Sequence, residues 1–178
     1  MKILNFPNSI FNKSYLTISV LGKNLKLNIK YLNTSNSVEL VKKDHEIDLF
    51  LPAKYKNTDN MDIINSAIGK LYMKLANTEL EYSLELARYI FKFAPEDYRI
   101  ERLNDVFYKT IKNKVLIINP DIMQYSRDII NTTILQAFCK MKHKVNSKAY
   151  KEALENAMNK YEKQRKQMLI EEKICKIG

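Results

Sequence analysis

Gln136 and Lys140 stand four residues apart in the stretch SRDIINTTILQAFCKMKHKVNSKAY, residues 126–150. At helical spacing they lie one above the other on one face. His143 and Asn146 follow where that helix should turn, and Ser147 fits the N-cap of the next helix. Two side chains four apart on a helix, with a third returned by a turn, is the layout of a helix-borne metal site. The residue types do not supply the chemistry. Zinc takes imidazole, thiolate or carboxylate, whereas Gln136 and Asn146 offer neutral amides and the Lys140 ammonium repels a cation. Cys139 and His143, also four apart, are a softer pair with which a rebuilt metal site could begin. Only His45 and Cys175 remain among the histidines and cysteines to complete it. The same spacing equally suits a buried core cysteine and a histidine near a helix C-terminus, where positive charge is favourable. Lys140 beside Cys139 suggests an activated thiol, but no base or oxyanion donors can be placed around it.

The elements that must position these residues follow from apolar periodicity. Ile130, Ile134, Ala137 and Met141 recur at four, three and four, which predicts a helix over 126–141. Tyr150, Leu154, Ala157 and Tyr161 repeat that spacing in a last helix from Lys148 to about Lys173, whose final turns are expected to project or fray. KVLIIN, residues 114–119, is the most apolar strand, stopped by Pro120. A turn at Lys112-Asn113-Lys114 makes it half of a hairpin lying against the 126–141 helix. Upstream, Leu16, Ile18, Val20, Leu25, Leu27 and Ile29 alternate around Gly22-Lys23-Asn24. Ile47, Leu49 and Leu51 alternate after Lys42-Lys43-Asp44 and end at Pro52. These four strands are expected to form an antiparallel sheet with one wet face, with His45 exposed near a turn. One helix is expected from Asp59 or Asn60 through Leu75, with Ile64, Ala67 or Ile68, Leu71 and Leu75 buried. A second should start at a capping box, Thr78-Glu79-Leu80-Glu81, and close at Pro95. The fold class is therefore α+β: N-terminal antiparallel strands, then a mainly helical body with a strand or hairpin packed on its central helix.

At 178 residues the expectation is one domain with a real core. No apolar run approaches the length of a membrane span, and no signal peptide is read at the start. Two cysteines without a CxxC pair suit free thiols in the cytoplasm. Isolated Gly22, Gly69 and Gly178 exclude a phosphate loop, and there is no GxSxG. Asp44 with Glu46 and Glu96 with Asp97 read as solvated turn residues. The net charge is +10, and residues 140–178, with eleven Lys+Arg against five Asp+Glu, carry six of it. That permits an acidic partner, nucleic acid included. Lys160, Lys163, Arg165 and Lys166 are the candidate surface, although lysine is also a default polar residue in this composition.

Residues 136–150, QAFCKMKHKVNSKAY, resemble the zinc-site segment of YgjP-like or WLM-type metallopeptidase domains, which typically read HELCHLKHPNHSKAF. The agreement lies at Cys139, Lys142-His143, Ser147-Lys148 and aromatic Tyr150. The flanking order agrees too: strands ending near a proline, two helices, an extended stretch into a strand ending Asn-Pro, then the site helix. The resemblance covers roughly residues 15–161. It implies strands at about 15–51, a zincin-like part at about 59–161 and a basic helical extension at 162–178. It also implies that Gln136, Lys140 and Asn146 stand where the family has its three zinc histidines, and that Ala137 replaces the glutamate base. His143 matches a family histidine that is not a ligand. The family's tryptophan is missing, since the chain has none. The implied function is a catalytically inactive metallopeptidase-like domain without metal or other cofactor, serving as a binding or structural module for an unknown protein or acidic partner. The alternatives are a nucleic-acid-binding protein and a metal-dependent hydrolase with a rebuilt Cys/His site.

Overall fold

The computed structural model describes residues 16–34 and 36–175, with side chains to residue 167. Backbone contacts group the chain, expected to be one domain, into two compact units. The first holds residues to Leu75 together with Asp121–Ser126, and the second holds Ala76–Pro120 and the residues from Arg127 onward.

The first unit is built on four strands, β1 Leu16–Val20, β2 Lys23–Leu32, β3 Glu39–Lys42 and β4 Glu46–Pro52. They lie in the order β1-β2-β4-β3. Leu25, Leu27, Ile47, Leu49 and Leu51 are buried, the alternation placing them on one face. Both hairpins are antiparallel, as expected, but β2 and β4 run parallel, with Leu27 opposite Ile47 and Ile29 opposite Leu49. The sheet is thus mixed, because the second hairpin joins through its second strand. Period-two alternation is the same for either direction, so the pattern alone does not choose. The β1–β2 turn falls at Leu21 and Gly22, both at positive φ (49° and 77°), one residue before the expected break. This turn is held by Asp121–Ser126. Leu21 N–H donates to Met123 O at 2.7 Å, Gly22 N–H to Gln124 O at 3.2 Å, and the Ser19 hydroxyl to Gln124 O at 2.7 Å. A Cβ on Gly22 would meet the Ser126 backbone at 2.9 Å, so the turn needs glycine for room as well as for φ.

A single helix, α1 Met61–Phe91, replaces the two expected ones. Ile64, Ile68, Tyr72, Ala76, Leu80 and Leu84 are all buried at steps of four, so the apolar row continues through Asn77 and Thr78. Thr78-Glu79-Leu80-Glu81 has the letters of a capping box but lies inside this row, where no Pro or Gly interrupts the helix. Leu71 and Leu75, expected on the buried stripe, are half-buried beside it. The helix stops at Phe91, and Lys92 takes the left-handed conformation (φ 50°) before Pro95.

In the second unit, β5 Asp97–Ile100, β6 Tyr108–Ile111 and β7 Val115–Ile118 form a sheet ordered β5-β7-β6. The apolar KVLIIN stretch supplies the middle strand, with Leu116 and Ile118 fully buried. β6 and β7 make the expected antiparallel hairpin, turning through Lys112 and Asn113 at φ 48° and 56°. β5 pairs parallel to β7. Two helices follow, α2 Arg127–Lys142 and α3 Lys148–Cys175, and they pack together. α2 also lies against β6. Phe138 of α2 is fully buried, with Phe91 and Phe93 ring centroids 6.3 and 6.0 Å away. The architecture is α+β, with N-terminal strands followed by a long helix, a small sheet and two more helices.

Candidate functional site

The C-terminal half of α2 and its exit turn are made by local sequence. The Ser147 hydroxyl accepts the Tyr150 N–H at 3.1 Å, the N-cap that its position foretold. Asn146 sits in the left-handed region (φ 66°), which asparagine tolerates well, and is exposed. The His143 N–H closes the last turn of α2 onto Cys139 O at 2.9 Å, and its side chain is half-buried.

The three positions on α2 that the resemblance matched to catalytic or ligating roles have different surroundings. Gln136 is exposed, Ala137 is fully buried in the core, and Lys140 is half-buried. The Lys140 ammonium lies 5.5 Å from the centroid of the Tyr108 ring, a cation–π contact with β6. Among the described residues, no hydrogen bond joins Gln136, Lys140 and Asn146 to one another. The Cys139 side chain is buried, and its thiol donates to Tyr150 O at 3.4 Å. Burial pushes that thiol upward, away from the thiolate that a metal or a nucleophile needs. Burial likewise raises the Tyr108 phenol, with Tyr150 and Cys139 adding to the effect. The end of α2 therefore places the Lys140 ammonium and the Cys139 thiol beside the phenols of Tyr108 and Tyr150. None of these is a general base near neutral pH, and the set does not fit a zinc ion. Among the described residues, no three His, Cys, Asp or Glu side chains come together as metal ligands would. His45 is exposed, and the side chain of Cys175 lies outside the described residues.

Of the basic candidates on α3, Lys160, Lys163 and Lys166 are exposed. Arg165 is exposed too, and it pairs with Asp128 of α2 at 2.7 Å. No described helix is long and apolar enough to cross a membrane.

A second polar group in the same unit was not anticipated. The Ser83 hydroxyl of α1 donates to Asn131 Oδ1 of α2 at 2.6 Å. Asn131 Nδ2 donates to the Tyr161 hydroxyl of α3 at 3.1 Å, which donates to Asp128 Oδ1 at 2.5 Å. Ser83 and Asn131 are 2% and 4% exposed. Burial, then the bond to the Asp128 carboxylate, pushes the Tyr161 phenol up to about 12. Next to this group is a cavity of about 280 Å³ lined by Glu79, Tyr82, Ser83, Arg127, Ile130 and Asn131. The sequence did carry a signal: Ser83 falls between Leu80, Leu84 and Ala87, and Asn131 beside Ile130 and Ile134, so each is a polar residue on an apolar stripe.

The first unit holds a charged counterpart on the open face of its sheet. Asp48, 2% exposed, meets the ammonium groups of Lys43 at 2.7 Å and Lys30 at 3.0 Å. Asn28 Nδ2 donates to both Asp48 and Glu46. Hydrogen bonds from Lys43, Lys30 and Asn28 hold the Asp48 carboxyl far below the usual carboxylate range. Glu46, expected to be a plain solvated turn residue, is half-buried and tied into this group by Asn28 and Lys43. No family model, curated protein or solved structure matches the chain.

Proposed function

We propose that this chain is a catalytically inactive metallopeptidase-like domain that works as a binding or structural module in the cytoplasm. The observation that carries the reading is the environment of Lys140. At a position matched to a zinc histidine stands an ammonium held over the Tyr108 ring, one turn from exposed Gln136, with buried Ala137 in place of a base. A positive charge there opposes a metal ion, and an alanine takes no proton from water. The cytoplasmic setting rests on two cysteines with no framework for disulfides. Elemental analysis of tag-free protein should find well under one zinc per chain. The fourfold variant Gln136→His, Ala137→Glu, Lys140→His, Asn146→His should gain metal binding, whereas restoring one histidine should not. Stoichiometric zinc in the wild-type protein, lost on replacing Cys139 or His143, would overturn the reading in favour of a rebuilt site.

The exposed row Lys160, Lys163 and Lys166, spaced at three on α3, favours a second reading as a nucleic-acid surface. On that reading, affinity falls steeply with salt and weakens when the three lysines are replaced together. No binding at low salt would remove it.

A further inference from the structure

Cations gather at one end of the second unit. α1 and α2 finish side by side there, with the Phe91 and Phe138 ring centroids 6.3 Å apart and Lys142 Nζ donating to Phe91 O at 3.1 Å. α3 begins at the same end, where the Cys139 thiol reaches Tyr150 O at 3.4 Å. The two stretches that meet, residues 86–95 and 140–151, hold seven Lys+Arg and no Asp or Glu.

Most of that charge is left uncancelled. Cations elsewhere, such as Lys30, Arg99 and Arg165, are neutralised by carboxylates at 3.0 Å or less. At this end, among the described residues, only Arg88 and Lys148 meet a carboxylate, on Glu85 and Glu152, the second at 3.7 Å. The Lys92 ammonium lies 4.2 Å from the centroid of the Tyr89 ring, and Lys140 lies 5.5 Å from that of Tyr108. A ring holds an ammonium without cancelling its charge. The carbonyl that Lys142 meets does the same. Lys144 and Lys151 are exposed and, among the described residues, have no carboxylate within ion-pair distance.

Charge alone admits any polyanion, and two observations narrow the choice. The five uncancelled cations are all lysines, compact point charges that can follow a flexible chain of phosphates. Beside them the Tyr89 side chain is 65% exposed, more than any other large apolar or aromatic side chain among the described residues. With Lys92 on one face of that ring, an exposure of this size leaves the other face in water. A ring so placed beside lysines is a platform for a base, since every base offers a π-face. An acidic peptide would meet the ammonium groups and leave the ring unused.

We propose that this end of the second unit binds single-stranded nucleic acid, with the five lysines along the phosphates and the Tyr89 ring stacked on a base. The proposal rests on the nucleic-acid reading above and moves the contact from the α3 row to the ends of the helices.

Fluorescence anisotropy of the full chain with a labelled oligothymidylate strand of about twenty nucleotides tests it. Binding should appear at about 50 mM salt, and log affinity should fall by about 0.7 per log unit of salt for each phosphate engaged. The triple variant Lys92→Gln, Lys144→Gln, Lys151→Gln should make that slope about two units shallower. All three positions are exposed, so its melting temperature should stay that of the wild type. Tyr89→Ala should weaken binding about tenfold with the slope unchanged, and Tyr89→Phe should bind as the wild type does. Loss of binding on replacing Lys160, Lys163 and Lys166, with none in the triple variant, would overturn this site and leave the α3 reading standing. No binding at low salt would overturn both. Wild-type affinity in Tyr89→Ala, or polyglutamate of equal charge competing as well as unlabelled oligothymidylate, would show that no base is held and would overturn the proposal.

Discussion

Two polar groups sit in the two units, and they solve the burial problem differently. On the sheet, Asp48 is charged, and its side chain is 3% exposed. Its partners Lys30 and Lys43 keep 48% and 49% of their side-chain surface in water. Among the helices, the deepest members, Ser83 and Asn131, carry no charge at all. In the bonded chain from Ser83 through Tyr161, charge comes at the outer end, on Asp128 and Arg165, whose side chains are 51% and 44% exposed. A buried carboxylate is tolerated where long cations reach it from solvent, because their stems bring the countercharge without burying it. Where three helices close around a group, neutral donors and acceptors replace ions, since an ion there would lose its water without recovering it.

The difference can be broken by forcing charge into the neutral group. Asn131→Asp should have the largest effect, on the order of 3 kcal/mol or more at pH 7. The introduced carboxyl would be raised by burial and by Asp128 nearby. A raised carboxyl favours the folded state at low pH and disfavours it as pH rises, so urea midpoints should show the variant closest to wild type near pH 4. A variant equally stable at pH 4 and pH 7 would mean that water reaches Asn131.

Tyr161→Phe comes next. It removes the donation to Asp128 and leaves Asn131 Nδ2 without its acceptor, at a cost of about 1–3 kcal/mol. The phenol, raised to about 12, supports the fold below its unfolded value near 10, and that support fades as pH climbs through 12. Alkaline unfolding between pH 10 and 12 should therefore be shallower in the variant than in the wild type.

The smallest effect at neutral pH belongs to Asp48→Asn on the sheet, whose consequence is a slope. The Asp48 carboxyl is depressed in the folded state, so its stabilisation is present above the unfolded value near 4 and is lost as pH falls below it. Acid titration followed by circular dichroism should show wild-type stability dropping below about pH 4 and a flatter curve for the variant. Parallel curves would show that Asp48 is not what the two lysines serve.

Much of the second unit is legible in the periodicity of the chain. Ile130, Ile134, Ala137 and Met141 mark α2, Ser147 marks the start of α3, and the unbroken KVLIIN run marks a covered strand. These signals are local, each set by residues within a turn or two. What escapes is pairing between distant segments. The parallel partnership of β2 with β4 leaves the same alternation as an antiparallel one. The continuity of α1 is hidden because Thr78 and Glu81 look like a cap, and only burial of Tyr72 and Ala76 on the same row reveals otherwise. On α2 and its exit turn, the types at 136, 140 and 146 are readable as unsuitable for zinc. The partner of Lys140 is not, since Tyr108 is an aromatic whose position depends on a sheet edge far away in sequence.

The docking of the first hairpin turn sets an order of events during synthesis. Ser19 and Gln124, bonded through hydroxyl and carbonyl, are 105 positions apart. The amides of Leu21 and Gly22 likewise find their acceptors only at Met123 and Gln124. A ribosome delivering the chain from its N-terminus therefore exposes the β1–β2 turn long before the segment that holds it, and loop closure over that distance is slow. The first unit, though encoded first, is completed only after Ala76–Pro120 has emerged. The Leu21 and Gly22 amides should exchange freely with solvent in nascent chains that end before residue 121 and become protected once Ser126 has left the tunnel.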